Sequence, residues 1–174
     1  MNMATDSDKS EEFAKIRRYL VDQTKRRDWW ELWPRVIGLR TQILDKLART
    51  SQVQALWKPA SDEWTILETS QHILNSSIEV RSLVENLANS ESPRIDKPPE
   101  PEHLNGETTI FSLRKELTMD AIKWAGLLDL LPLVPDDKNT WPHMVFGPLN
   151  CSEWFLFQRL HDRDHLDQID KIYA

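Results

Sequence analysis

The chain reads WFLFQRLHDRDHLDQI from residue 154 to residue 169, and this stretch decides the fold. Its apolar residues recur at spacings of three and four, which predicts a helix with one buried face. At about 100° of rotation per residue, one narrow sector holds Trp154, Phe157, His161, His165, Gln168 and Ile172. The opposite side holds Arg159, Arg163, Asp167 and Asp170. The two histidines are therefore expected to face inward.

Two segments nearer the amino terminus show the same helical spacing. The first is expected to begin at Pro34, because proline suits the first turn of a helix, and to end near Thr50. The second opens with the capping-box pattern Thr65-Ile66-Leu67-Glu68. In this pattern a hydroxyl and a carboxylate accept hydrogen bonds from each other's backbone amides. This second helix is expected to run to about Asn89.

A third apolar segment covers about residues 110–131. It is expected to stop at Pro132, which cannot continue a helix without losing a backbone hydrogen bond. The fourth helix is the one that carries the two histidines. It starts at a second capping-box pattern, Asn150-Cys151-Ser152-Glu153, and reaches Ile172. Four long amphipathic segments predict an all-α protein built as a four-helix bundle.

The chain of 174 residues is long enough for one well-packed domain. We assign the bundle to residues 34–174 and an N-terminal helical extension to residues 1–33. The extension carries apolar and aromatic side chains, namely Phe13, Ile16, Leu20, Trp29, Trp30 and Trp33. We expect it to form an extra helix that lies against the bundle.

Two connections are rich in proline. Residues 90–107 are long enough to run the length of the bundle and are expected to form a crossover. Residues 132–149 also contain Trp141, Val145 and Phe146, a composition too apolar for a solvated linker. We expect this second connection to pack over one end of the bundle.

Charge and composition exclude several classes of function. The net charge is −6, and no basic run is longer than Lys25-Arg26-Arg27, so no nucleic-acid partner is expected. The 4 glycines exclude a glycine-rich phosphate loop. The single cysteine, Cys151, excludes an intramolecular disulfide. With a polar, acidic start and no long apolar run, we expect a cytoplasmic protein without a membrane partner.

The histidines carry the strongest chemical signal. His161 and His165 stand at positions i and i+4 of one helix, an arrangement that presents two imidazoles to a zinc-like ion. His72 in the second helix would complete three protein ligands and leave a position open for water or substrate. The competing interpretation is that these are hydrogen-bonded core histidines without a metal.

Three stretches together resemble the DinB-like (YfiT-like) metalloenzyme family. They are EWTILETSQH at residues 63–72, FGPLNCSEW at residues 146–154 and HDRDHLDQI at residues 161–169. The similarity covers about residues 34–172 in the right order. It implies a four-helix bundle that binds one divalent metal, zinc or nickel, through His72, His161 and His165.

Relatives in that family transfer low-molecular-weight thiols or use such a thiol as a cofactor. The resemblance therefore implies a metal-dependent enzyme, a thiol-dependent transferase or a hydrolase, that acts on a small-molecule substrate. The alternative is a non-enzymatic helical bundle that binds a metal or a partner. A homodimer is compatible with either interpretation.

Weaker candidates for the reaction surround the triad. Glu68 stands one turn before His72, although its place in the capping box already explains it. Gln168 could orient a ligand ring, because metal-bound imidazoles usually donate their second nitrogen to a partner. His143 could be a substrate contact, a proton shuttle or a surface histidine. Cys151 begins a helix, whose dipole would favour the thiolate.

Overall fold

Six α-helices, a short 3-10 helix (Leu128–Leu130) and one hairpin are the regular elements in the part of the chain that the computed structural model describes, residues 6–93, 104 and 106–173. The helices are α1 (Asp6–Arg26), α2 (Trp29–Ala48), α3 (Gln52–Ala55), α4 (Ile66–Ala88), α5 (Ile110–Leu127) and α6 (Cys151–Tyr173). Strands β1 (Thr140–His143) and β2 (Gly147–Asn150) pair antiparallel just before α6. Among these helices, none is both long enough and apolar enough to cross a membrane.

The four long helices α2, α4, α5 and α6 form the bundle. Helix α6 packs against α2 and α4, and α5 packs against the same two helices. Helices α5 and α6 therefore face each other across the core, where the rings of Trp124 and Phe155 lie 5.4 Å apart. The predicted all-α four-helix architecture is confirmed.

Both capping boxes expected from the sequence are present. At the start of α4, Glu68 N donates to Thr65 Oγ1 over 3.0 Å and Thr65 N donates to Glu68 Oε2 over 2.7 Å. At the start of α6, Glu153 N donates to Asn150 Oδ1 over 3.0 Å and Asn150 N donates to Glu153 Oε2 over 3.1 Å. These local bonds fix where the two histidine-bearing helices begin.

The predicted start of the first bundle helix at Pro34 is wrong. Helix α2 begins at Trp29, behind a capping box formed by Asp28 and Glu31, and Pro34 lies inside it. A proline at this position leaves the carbonyl of Trp30 without its helical donor. The helix tolerates this because Trp30 is on an exposed face, 60% accessible to solvent, where water can replace the missing bond.

Helix α1 is an extra helix that packs against α6, whereas the three tryptophans that we assigned to the extension lie in α2 instead. Leu20 of α1 is fully buried in the core, and Arg17 of α1 pairs with Glu153 over 3.3 Å. Its Phe13 ring meets Phe146 of the hairpin edge to face, with centroids 6.1 Å apart. The extension thus contacts both the start of α6 and the hairpin.

The structure tests the predictions for the two proline-rich connections to different extents. Most of the expected crossover, residues 94–103 and 105, lies outside the described residues. The second connection does pack on the core through Trp141 and Phe146, but it forms a hairpin where a loop was expected. The hairpin closes because Gly147 takes a φ of +72°, which favours glycine.

A polar layer divides the core into two apolar clusters. One cluster contains Trp29, Val36, Val84, Trp124 and Phe155, and the other contains Ile43, Ile73, Leu117, Leu166 and Ile169. Each bundle helix contributes a buried polar residue near the boundary between the two clusters. These residues are Arg40 of α2, Ser77 of α4, Asp120 of α5 and Asp162 of α6.

The polar layer is held by an ion-pair network centred on Arg40. The Arg40 guanidinium donates to both oxygens of Asp162, over 3.0 and 3.1 Å, and to Asp120 over 3.3 Å. Ser77 accepts from Arg40 over 3.0 Å and donates to Asp120 over 2.5 Å. Burial alone would lower the pKa of Arg40, but the charges of Asp162 and Asp120 outweigh it and raise that pKa.

We expect Arg40→Met to lower the free energy of unfolding by about 3–5 kcal/mol, because it leaves the buried carboxylate of Asp162 without its cation and Asp120 with Arg81 alone. Urea unfolding followed by circular dichroism measures this. The matched control is Arg49→Met at the C-terminal cap of the same helix, which breaks an exposed pair with Asp45 and should change stability little. Equal unfolding midpoints for the two variants would contradict the network's structural role.

Candidate metal centre

Three histidines from α4 and α6 meet at one point of the bundle. His161 and His165 lie one turn apart on α6, and His72 approaches them from α4. One ring nitrogen of each lies within 4.8 Å of those of the other two. The Nε2 atoms of His72 and His161 are 3.1 Å apart. The convergence expected from the sequence is present.

The spacing of the nitrogens suits a shared ion. Two imidazoles that bind one tetrahedral zinc at about 2.0–2.1 Å place their nitrogens about 3.3 Å apart. The 3.1 Å between His72 Nε2 and His161 Nε2 is close to that value. Two facing ring nitrogens can also share one proton, so the distance shows that the donor set fits a metal without requiring one.

The orientation of His165 is set by Gln168. Its Nδ1 lies 2.9 Å from Gln168 Oε1, and because a carboxamide oxygen can only accept, Nδ1 carries the proton. In the neutral ring with this tautomer, the Nε2 atom keeps a lone pair, which is the form that binds a metal. Ligand histidines in metalloproteins are commonly held by such a hydrogen bond.

His161 is held in its neutral form. Burial lowers its pKa well below the usual value, and the nearby His165, His72 and Arg40 lower it further. A neutral imidazole is the form required of a metal ligand. Its Nδ1 is buried and has no hydrogen-bond partner within the described part of the chain.

The triad opens into a cavity of about 470 Å³. The lining side chains are Ser76, Glu79, Val80 and Leu83 of α4, Trp141, Pro142, His143 and Met144 of the hairpin, Trp154 and Phe157 of α6, and the three histidines. Trp64, just before α4, packs against the triad, with its ring 5.1 Å from His72 and parallel to His165 at 6.4 Å. The cavity is large enough for a small organic ligand and has mainly aromatic and aliphatic walls.

The weaker candidates for a role in the reaction lie at different positions relative to the cavity and the triad. Glu68 is engaged in the cap of α4 and does not occur among the described residues that line the cavity. His143 does line it, and Gln168 contacts His165. The expectation that the helix dipole favours a Cys151 thiolate is wrong, because burial raises the pKa of that thiol to about 11.

Sequence reasoning missed the ion-pair network beside the site. Asp162, which lies beside His161 in the sequence, is fully buried and bonded to Arg40. A signal was available in α2, where Arg40 falls within the apolar stripe of Val36, Leu39 and Ile43. A charged residue at such a position calls for a buried partner. The sequence did not indicate which carboxylates would supply it.

The sequence profile of the DinB superfamily matches residues 36–169, about three-quarters of the chain. The chain belongs to the DinB superfamily. The matched part of this DinB-superfamily protein includes all three histidines, the hairpin and the ion-pair network. Comparisons with curated proteins and with solved structures give no significant match. The family assignment agrees with the resemblance seen in the three sequence stretches.

We expect Cys151 to be unreactive towards a thiol reagent in the folded protein near neutral pH. Burial shields the sulfur, and with a pKa of about 11 almost none of it is thiolate. Absorbance titration with a chromogenic disulfide, with and without denaturant, measures the reaction. The denatured chain should react fully, whereas rapid reaction of the folded chain would contradict the burial of Cys151.

Proposed function

We propose that this protein is a metal-dependent enzyme in which His72, His161 and His165 hold one divalent ion, zinc or nickel. The observation that carries the proposal is the convergence of three imidazoles on the wall of a cavity of about 470 Å³. Imidazole is a suitable ligand for both metals. Membership of the DinB superfamily supports the same conclusion.

The number of ligands favours catalysis over a structural role. Within the described residues, the group that could hold an ion consists of these three histidines without a fourth His, Cys, Asp or Glu. Structural zinc sites usually have four protein ligands, whereas catalytic sites have three and leave one position open. The cavity beside the triad provides access to that position.

When bound, a divalent ion supplies Lewis acidity, which lowers the pKa of a coordinated water or thiol. The chain's own residues prepare the site for it. Gln168 fixes the tautomer of His165, and burial keeps His161 neutral. Trp64 packs on His72 and His165 and restricts their rotation.

The reaction that we propose is a thiol-dependent group transfer or a hydrolysis acting on a small molecule. The cavity supports a small substrate, because its volume suits a molecule of metabolite size. The thiol rests on the family resemblance. A non-enzymatic metal-binding or partner-binding bundle is the alternative, and a screen of thiol transfer with the metal-loaded protein distinguishes the two.

We expect His161→Ala to abolish most metal binding and leave the fold intact. Two imidazoles hold a divalent ion far less tightly than three, whereas the apolar clusters that stabilise the bundle are untouched. Protein purified without an affinity tag is analysed for bound metal and for its thermal midpoint, with and without a chelator. Metal at 100 times its dissociation constant stabilises the wild type by about 2.7 kcal/mol, and the variant should lack this gain.

The control for that experiment is Asp164→Ala, an exposed residue on the same helix. It should keep both the bound metal and the response to the chelator. If the wild type ignores the chelator and His161→Ala melts early at every metal concentration, the histidines are core residues and the proposed metal site does not exist.

We expect Gln168→Leu to weaken metal binding by about 10- to 100-fold, because His165 loses the acceptor that fixes its tautomer. Competition with a fluorescent chelator measures the affinity. The matched control is Gln71→Leu, which removes an amide that bonds Asn75 within α4. Equal affinities in the two variants would show that Gln168 does not support His165.

A further inference from the structure

We propose that His143 binds the ligand of this cavity, donating a hydrogen bond from its Nε2–H to an oxygen acceptor. The inference rests on the proposed function and names the class of molecule that the site takes. That class is a small, largely apolar molecule with a carbonyl or similar oxygen at the end away from the triad.

The hairpin turn fixes the tautomer of His143. Its Nδ1 lies 3.1 Å from the backbone N of Val145 and 3.2 Å from the backbone N of Phe146. Both of these amides are donors, so Nδ1 must accept and cannot carry a proton. The proton of the neutral ring is therefore on Nε2, which makes this nitrogen a donor.

Aromatic rings hold the imidazole in place. Phe146 stacks on it at 4.6 Å with an interplanar angle of 20°, and Phe157 lies 4.7 Å away. Trp154 contacts it at 5.3 Å. Helix α1 supports this arrangement from outside, because Phe13 packs edge to face on Phe146. A donor held so firmly loses little conformational entropy when it binds a ligand.

His143 and the triad line the same cavity. Phe157 lies between them, with its ring 4.7 Å from His143 and 6.1 Å from His161. A ligand anchored at the triad would thus run along Phe157 and end near His143. The walls beside this path, Trp141, Trp154 and Leu83, favour an apolar body.

The same geometry argues against a proton shuttle. A shuttle through the ring would have to protonate Nδ1, which would place its N–H against the amides of Val145 and Phe146. Two accepted hydrogen bonds would then be lost. His143 is therefore assigned as a ligand-binding donor that keeps one tautomer.

The experiment uses the full chain loaded with Co²⁺, whose visible absorption reports ligands bound to the ion. The probes are butane-1-thiol and three ω-mercaptoamides of increasing chain length, which are anchored by the same sulfur and differ in the terminal amide. Titrations compare three proteins. They are the wild type, His143→Phe, which keeps an aromatic ring but removes the donor, and Met144→Leu, a control on the same cavity wall.

We expect His143→Phe to lower the affinity for at least one mercaptoamide by about fivefold, which corresponds to the loss of one neutral hydrogen bond. The affinity for butane-1-thiol should be unchanged. Met144→Leu alters the same wall without removing a donor, so it should leave the ratio of mercaptoamide to butane-1-thiol affinity unchanged. The inference is overturned if wild type and His143→Phe show the same ratio of amide to alkyl affinity at every chain length. Absence of Co²⁺ absorption in the wild type would instead overturn the proposed metal site and, with it, this inference.

A second measurement does not depend on the folding of a variant. Long-range proton–nitrogen NMR spectra of the ¹⁵N-labelled protein distinguish the two neutral tautomers of a histidine. We expect the Nε2–H form for His143, whose signals are assigned by their contacts to Phe146. The Nδ1–H form would overturn the inference.

Discussion

The ion-pair layer around Arg40 is the constraint on which the other features of this bundle depend. It joins α2 to α5 and α6 through charged hydrogen bonds and to α4 through Ser77. Arg81 adds a second cation on Asp120, so two positive and two negative charges balance within the layer. Buried charges are tolerated only in such complete arrangements, and this requirement ties the four helices to one register.

The position of the histidine triad follows from that layer. Asp162 must point at Arg40, and this fixes the rotation of α6 about its axis. His161 precedes Asp162 by one residue and His165 follows it by three, which places both imidazoles within about 100° on the same side of it. That side faces α4, where His72 completes the group. The residue of α6 that holds the ion-pair layer and the two histidines of the triad are thus close neighbours on one helix.

The wall of the cavity depends on elements outside the helices that carry the triad. The hairpin contributes His143 and Trp141, and Trp154 Nε1 donates to the carbonyl of Trp141 over 3.2 Å. Helix α1 lies before the region matched by the DinB superfamily, yet its Phe13 packs on the hairpin. The N-terminal extension therefore supports the shape of the cavity as well as the core.

The sequence alone determined the helical class, the starts of α4 and α6 and the inward face of His161 and His165. These features follow from interactions within one or two turns, namely apolar spacing and capping boxes, which sequence patterns record directly. The family resemblance led us to expect His72 beside the other two histidines, but the tertiary structure alone decided the partners of Arg40, the hairpin and the cavity between it and the triad. Such contacts join residues far apart in the chain, and they depend on how whole helices pack, which no local pattern encodes.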